Sequence, residues 1–302
     1  MSEQYDYDLL IIGSGPGGYV AGIRAAQLQL KVGVIEKEAP GGVCLNWGCI
    51  PSKSLIHQAE IFHHTAALEE MGVTLDRSKL DYAKVYRKSR KAAKTLSKGV
   101  QGLLKKNKVA YIEGEARFST AHEVEIDGSK RLSARNIIIA TGSRSRQIPG
   151  FEIDEERVLS SRGILSLQQL PKRLLILGAG AIGMEFAYVM NAFGVEVTVV
   201  EMLDSILPLE DREVAEVVRK DFKSHGITMM SSTKATELER GEKGLKVTVE
   251  NGDGKKEILE ADKLLVAVGR VPNTDNLGLE NIGITPERGF VPVGDYYQTA
   301  VS

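Results

Sequence analysis

Two apolar rhythms alternate along this chain, and their order predicts its elements. Residues 5–12 (YDYDLLII) form a short apolar run that predicts a buried strand. Helical spacing follows in YVAGIRAAQLQL, and a second apolar run, KVGVIE, ends at Glu36. The order returns downstream. LLIL at 174–177 predicts a strand, FAYVMNAFG a helix, and EVTVVE a strand ending at Glu201. Two further runs echo each other, IIIATG at 137–142 and LLVAVG at 264–269, each apolar and closed by glycine. Between the copies, residues 81–109 have helical period, while VAYIEGEARF and EVEIDGSKRLSARNIIIA predict strands, with a turn at Asp127-Gly128. After Glu201, DREVAEVVRKDFKSHG predicts an amphipathic helix ending at Gly226. ITMMSSTKATELE and LKVTVE predict strands, and NGDG at 251–254 predicts a hairpin turn.

The first strand–helix junction reads Gly13-Ser14-Gly15-Pro16-Gly17-Gly18. Glycines at 13, 15 and 18 fit a dinucleotide fingerprint: a tight turn, close approach of a pyrophosphate, then close helix packing. Phosphate charge would meet the helix N-terminus, and Glu36, 18 residues past Gly18, falls where an acid can accept from an adenosine ribose. A GxGxxG alone is often only a turn. Here a strand precedes it, a helix follows and an acid is correctly spaced, so the turn-only reading recedes. The whole unit recurs as Gly178-Ala179-Gly180-Ala181-Ile182-Gly183 with Glu201, each counterpart 165 residues on. Two copies of one nucleotide-binding plan argue for two nucleotides.

Length and charge narrow the function classes. A chain of 302 residues favours two domains, and 42% hydrophobic residues argue against disorder. A net charge of −1 gives bulk electrostatics no hold on nucleic acid or anionic membrane. The first ten residues lack a basic and apolar leader pattern, and no apolar run reaches membrane-span length, so a cytoplasmic location is expected. Residues 84–108 carry ten Lys or Arg and no acid. A partner or nucleic-acid surface is one reading; a solvated helix face is favoured, because the overall charge is near zero. His57, His63 and His64 lie on one predicted helix, with His122 and His225 scattered, and no metal is assigned.

Both cysteines, Cys44 and Cys49, sit in GGVCLNWGCIPSK at 41–53. In a regular helix an i,i+5 pair has Cα atoms roughly 8–9 Å apart, whereas a disulfide needs about 4.4–6.8 Å. If the two bond, the backbone must tighten, and Asn46, Gly48 and Pro51 permit irregular turns. Pro51 also suits the first turn of a helix over SKSLIHQAEIF, which would set Cys49 near a helix N-terminus that favours a thiolate. Two free cysteines or half of a metal site remain open readings, although zinc usually wants more ligands close by.

Taken together, GGVCLNWGCIPSK, the two fingerprints with their acids, ATG at 140–142 and VGRVPN at 268–273 resemble the disulfide-dependent flavoprotein reductases, the pyridine nucleotide-disulfide oxidoreductases. CLNxGCIPSK is most similar to the dihydrolipoamide-oxidising branch. The resemblance implies an α/β fold of two Rossmann-like (FAD/NAD(P)-binding) three-layer domains, the second inserted in the first. The expected bounds are 1–148, 149–270 and a return segment at 271–302. It implies FAD on Gly13, Gly15, Pro16, Gly17, Gly18, Glu36 and Lys37, with Gly42, Val43, Cys44, Lys53, Gly114, Ala140, Thr141, Gly142 and Ser143 around the remainder. It implies NAD on Gly178, Gly180, Ala181, Ile182, Gly183 and Glu201, with Ala235, Ala267, Gly269 and Arg270 near it. Glu201 favours NAD over NADP, since an acid repels a 2′-phosphate. Cys44 and Cys49 would form the redox disulfide, Cys49 on the flavin side and Cys44 exchanging with dihydrolipoamide. Lys53 would sit near the flavin and pair with Glu185. The implied reaction oxidises dihydrolipoamide to lipoamide and passes a hydride to NAD+. The implied partners are a small or protein-bound dihydrolipoyl substrate of 2-oxoacid dehydrogenase complexes and, in the full-length family, a second subunit. Neither nucleic acid nor membrane is expected.

The sequence also departs from that pattern. The family's later Gly-Asp segment and interface domain have no counterpart, Asp295 follows a glycine without the matching context, and no His sits in the expected acid/base setting. A truncated copy is therefore expected, with a nearly complete NAD domain. The alternative reading is a nucleotide-binding fragment that holds NAD, holds FAD weakly and does not turn over lipoamide. A thioredoxin-reductase type is excluded by its cysteine placement, a pair in the NAD domain with two residues between.

Overall fold

The computed structural model describes residues 5–242 and 244–301. The chain folds as two units, each built from segments that are not continuous in sequence. The first takes the chain up to Cys49, Ala92–Arg144 and the residues from Val271 on; the second takes Ile50–Lys91 and Ser145–Arg270. Two helices, α3 (Cys49–Glu70) and α4 (Tyr82–Lys106), carry the chain out of the first unit and back. They follow β1 (Tyr7–Ile12), α1 (Pro16–Gln27), β2 (Val32–Glu36) and α2 (Gly42–Trp47).

In the first unit, β3 (Ala110–Glu113), β4 (Ala116–Thr120), β5 (Glu123–Ile126) and β6 (Lys130–Ile139) complete a sheet of order β3-β2-β1-β6-β5-β4. The strands β3, β2, β1 and the second half of β6 run parallel, with Leu10 opposite both Gly33 and Ile137. Parallel strands are buried on both faces and so read as unbroken apolar runs; Leu10, Ile11 and Val34 are fully buried. The first half of β6 instead pairs antiparallel with β5. Asp127 (φ 49°) and Gly128 (φ 70°) turn that hairpin with both central residues left-handed. VAYIEGEARF splits at Gly114 (φ 139°): β3 joins the parallel half and β4 the antiparallel half.

The chain crosses to the second unit through β7 (Ser143–Ser145) and returns through β16 (Arg270–Pro272), which pair with each other. Between them come β8 (Val158–Leu159), α5 (Ser161–Ser166), β9 (Arg173–Leu177), α6 (Ala181–Ala192), β10 (Glu196–Val200), α7 (Arg212–Ser224), β11 (Thr228–Met230), β12 (Thr233–Arg240), β13 (Leu245–Asn251), β14 (Lys256–Ala261) and β15 (Lys263–Val266). Five parallel strands form the sheet β11-β10-β9-β15-β8, and β12-β13-β14 form an antiparallel sheet. Side chains of β9 alternate between two cores, as strand geometry requires. Leu174 and Ile176 join Met184, Ala187 and Met190 of α6; Leu175 and Leu177 join Val247, Val249 and Ala261 of the small sheet. Leu55 and Ala59 of α3, with Tyr82 and Val85 of α4, are buried in the first of these cores. That burial is why residues 50–91 belong to the second unit, a division that differs from sequence bounds drawn at motif ends.

The fold class is the one the sequence implies, an α/β chain of two Rossmann-like parallel-sheet units. ITMMSSTKATELE splits at Ser232 (φ 48°) into β11 and β12 of different sheets. The strand β14 escaped the pattern reading because its outward residues are polar and Ile258 is 61% exposed.

Candidate active site

Each fingerprint folds into the same turn. Gly13 (φ 104°) and Gly178 (φ 100°) both need the left-handed region, and a Cβ on either would overlap a carbonyl, that of Ala140 or Ala267. A Cβ on Gly18 or Gly183 would overlap the first glycine's own oxygen. Glu36 folds back onto its turn: Ser14 N donates to Oε2 at 2.8 Å and Glu38 N to Oε1 at 2.9 Å. Glu201 does the same, accepting from Ala179 N at 2.7 Å and Leu203 N at 2.9 Å. The 165-residue repeat is thus a repeat of hydrogen bonds. It also extends to the echoing runs, where Ala140 N and Ala267 N donate to Ile12 O and Leu177 O, each at 2.8 Å.

The middle glycines differ in kind. Gly15 (φ −63°) and Gly180 (φ −73°) are the N-caps of α1 and α6 with ordinary backbone angles. A Cβ on Gly180 would meet nothing within 4 Å, and one on Gly15 only Gly42 Cα at 4.0 Å. Neither conformation nor packing demands glycine there. What the missing side chain leaves is bare backbone at a helix N-terminus, the setting that suits a phosphate. The donor set and the open cradle fit a dinucleotide in each unit.

The cysteine segment packs on the first fingerprint. Gly41 (φ 93°) and Gly42 (φ 59°) are left-handed, and a Cβ on Gly42 would lie 2.6 Å from Gly15 Cα. Gly41 N donates to Ser14 O at 3.0 Å. Then α2 stops at Gly48 and α3 begins at Cys49. That break brings the Cα atoms of Cys44 and Cys49 to 4.7 Å, and the two form a disulfide. The bridge needs the interruption, since an unbroken helix would hold them several Å further apart. Room at the break is limited: a Cβ on Gly48 would lie 3.2 Å from Val43 O.

Cys49 opens a 22-residue helix, where the dipole favours negative charge. Lys53 follows one turn on, the spacing that puts two residues on one helix face. Its Nζ donates to Glu185 Oε1 of α6 at 2.5 Å, with the lysine side chain 60% and the glutamate 29% exposed. Burial pushes the Arg270 guanidinium down from its ordinary value. Beside Glu36, the Tyr111 phenol is pushed up to about 12, by burial first and then by Glu36 and Glu113.

The remaining expected residues are distributed as follows. In the first unit, Pro16 opens α1 and Gly17 meets nothing within 4 Å of its Cβ position. Lys37 pairs with Glu115 at 2.7 Å, and Gly114 N donates to Glu36 O at 3.0 Å. Val43 is 40% exposed on α2. Asn273 ties down the ATG run, its Nδ2 donating to Thr141 O and its N to Gly142 O, both at 3.0 Å, and Ser143 begins β7. In the second unit, Ala181 opens α6 and Ile182 packs against the core. Ala235 lies at a bulge of β12, and Gly269 O accepts from Arg146 N at 3.1 Å. Of the residues expected around FAD, all but Lys53 fall in the first unit; Lys53 falls in the second, with Glu185 and the residues expected around NAD.

Sequence reading missed three contributors. Ser14, fully buried, donates its hydroxyl to Glu36 Oε2 at 2.8 Å, where the second copy has Ala179. Asn46 does more than permit a turn: its buried amide donates to Pro40 O at 3.1 Å and Gly42 O at 3.0 Å. Ser97 of α4 donates to the same Pro40 carbonyl at 2.7 Å. The signal was a polar amide between the cysteines; nothing near in sequence points to Ser97. Among the described residues no helix is long and apolar enough to cross a membrane.

The family model described as pyridine nucleotide-disulphide oxidoreductase matches residues 7–302. The chain is 41% identical to dihydrolipoyl dehydrogenase of Rhizobium etli over 98% of its length and 66% of the relative's. It is 44% identical to dihydrolipoyl dehydrogenase of Haloferax volcanii, over 97% of this chain and 63% of that one. Among solved structures, LpdA from Mycobacterium tuberculosis superposes with a TM-score of 0.88 at 30% identity, covering 97% of this chain and 66% of that one. The flavoprotein disulfide reductase RclA from Escherichia coli gives 0.83 at 29%, covering 98% and 64%. The chain thus spans about two thirds of the length of the relatives it matches.

Proposed function

The chain belongs to the pyridine nucleotide-disulphide oxidoreductases, flavoprotein disulfide oxidoreductases that bind FAD and NAD(P), and from that premise we propose that it oxidises dihydrolipoamide to lipoamide. The observation that carries the proposal is the Cys44–Cys49 bridge formed at a helix break and seated on the first fingerprint through Gly42 and Gly15.

In this reading Gly13, Gly15, Gly18 and Glu36, with the ATG run, hold FAD, and Gly178, Gly180, Gly183 and Glu201 hold NAD. Held there, FAD would supply two-electron exchange between the dithiol and NAD+. The chain's own residues do the sulfur chemistry. A substrate thiolate attacks Cys44 Sγ, the Cys44–Cys49 bond breaks, and Cys49 leaves as thiolate. The second substrate thiol, on losing its proton, attacks the mixed disulfide; lipoamide leaves with its ring disulfide closed and Cys44 is freed as a thiol. The N-terminus of α3 stabilises the Cys49 thiolate. Lys53, fixed by Glu185, supplies a cation on the same helix face, where negative charge accumulates during reduction. Glu201 disfavours a 2′-phosphate, so NAD is the dinucleotide used.

The relatives named dihydrolipoyl dehydrogenase support the substrate and, with it, service to a 2-oxoacid dehydrogenase complex. The test is to purify the chain with added FAD and titrate it anaerobically with NADH, then supply lipoamide. A yellow protein bleached by NADH and reoxidised by lipoamide supports the proposal. A colourless chain that binds NADH without reducing lipoamide opposes it, and leaves a nucleotide-binding fragment.

A further inference from the structure

The segment that carries Cys44 is tied down at one carbonyl by two side chains. Asn46, buried on α2 between the cysteines, donates Nδ2 to Pro40 O and to Gly42 O, and Ser97 of α4 donates its hydroxyl to the same Pro40 O. Both partners of the amide are acceptors, so its nitrogen must face them. From Pro40 the chain turns into α2 through Gly41 and Gly42, both left-handed, and Gly41 N is tied to Ser14 O. All of these residues, with Cys44 and Cys49, belong to the first unit. A helix as short as α2, six residues, does not hold its shape alone in water, where those below about 12–15 residues are marginal. Contacts outside the helix hold it, among them the Cys44–Cys49 bond, the buried Leu45 side chain and the Asn46–Pro40–Ser97 bonds. The first of these is lost whenever the bridge is reduced.

We propose that Asn46, supported by Ser97, is a positioning residue for the disulfide chemistry: it keeps α2 in place once the Cys44–Cys49 bond is open, so that the two thiols stay within closing distance. The proposal rests on the redox role given to the bridge above and adds what sets its ease of opening. While the bond is closed, it holds the Cα atoms 4.7 Å apart, and the side-chain bonds restrict chain that is already restricted. Once the bond is open, the same side-chain bonds deny the segment the backbone freedom it would gain. Removing them leaves the closed form held by its covalent link but releases the open form into many arrangements, so opening becomes easier. The plainer account is a polar side chain that only stabilises a turn. It would weaken both forms alike and leave the balance between them unchanged.

The test equilibrates the full chain with mixtures of reduced and oxidised dithiothreitol at fixed pH and counts thiols after acid quench and alkylation. Dithiothreitol closes its own disulfide as the Cys44–Cys49 bond is replaced by two thiols, a transfer of two electrons and two protons. Neither FAD, NADH nor lipoamide is needed, so this test and that of dihydrolipoamide oxidation fail independently. Asn46→Ala should shift the equilibrium toward the dithiol by at least about threefold, a rise of about 14 mV in potential. Ser97→Ala should shift it the same way by at least about twofold, about 9 mV, while Ser97→Thr, which keeps the hydroxyl, should match the parent. Hydrogen exchange over residues 42–48 should quicken in reduced Asn46→Ala far more than in the oxidised variant. An Asn46→Ala shift below threefold, a shift toward the disulfide, or equal quickening in both redox states overturns the proposal. Should Asn46→Ala fail to fold, Ser97→Ala decides: a shift below twofold in it counts against the positioning role.

Discussion

Replacing Gly180 by alanine separates the service a fingerprint glycine gives the fold from the service it gives a ligand. Its backbone (φ −73°, ψ 179°) accepts alanine, and the new methyl would meet no protein atom within 4 Å. Restricting the unfolded chain favours alanine by about 0.4–1 kcal/mol. Losing glycine at an N-cap costs about as much, roughly 0.5–1 kcal/mol. The two nearly cancel, so Tm should stay within about 2–3 °C of the parent. The same methyl at Gly183 would overlap the Gly178 carbonyl and cost about 1–3 kcal/mol or more. For NADH the order reverses. A methyl at the N-terminus of α6 stands between backbone donors and a pyrophosphate, and charge-assisted hydrogen bonds are worth about 1.5–3 kcal/mol. At about 1.4 kcal/mol per tenfold, Gly180→Ala should weaken NADH by roughly 10–150-fold. Thermal melts and a fluorescence titration with NADH read the two effects. NADH affinity within twofold of the parent would refute the reasoning, as would a Tm loss above about 5 °C.

Three other variants probe the same account. Lys53→Gln breaks a partly exposed ion pair worth no more than about 1 kcal/mol, so melting should barely move, while the rate of disulfide reduction by NADH falls at least about tenfold. Stopped-flow at matched stability checks this, and an unchanged rate would remove Lys53 from the chemistry. Glu201→Gln takes away one carboxylate oxygen from Ala179 N and Leu203 N, at about 1–3 kcal/mol of stability, and should raise the NADPH-to-NADH affinity ratio at least about tenfold. Tyr111 stabilises the fold fully below its unfolded value of 10, and this is lost as pH climbs toward its folded value of about 12. Tyr111→Phe should therefore flatten the fall in urea midpoint between pH 10 and 12; an equal fall in both proteins would show that Tyr111 is not responsible.

The parts of this molecule most legible in its sequence are those where one physical demand leaves one residue type. Gly13 and Gly178 need a left-handed backbone against a carbonyl, so the two turns announce themselves. Parallel strands such as β1 and β9 are unbroken apolar runs over residues 9–12 and 174–177 because both faces are covered there. The cysteine spacing asks for a tightened backbone if the two bond, and the tightening falls at Gly48. Long-range bonds were not legible. Ser97 reaches Pro40 from 57 residues away, and α3 joins the second unit because its apolar face fits a core built mostly 100 residues later. Local pattern carries no record of such partners. Short or polar elements, β8 with two residues and β14 with its outward charges, give no period to detect.

The central claim is that the sulfurs of Cys44 and Cys49 are joined and would exchange electrons with the dinucleotides that the two glycine turns would hold. Counting thiols by mass spectrometry after alkylation, before and after anaerobic incubation of the FAD-supplemented chain with NADH, tests this most directly. The account predicts no alkylated cysteine beforehand and two per chain afterwards, at residues 44 and 49. A bridge that stays closed while NADH is consumed, or two free thiols from the start under oxidising conditions, would contradict it.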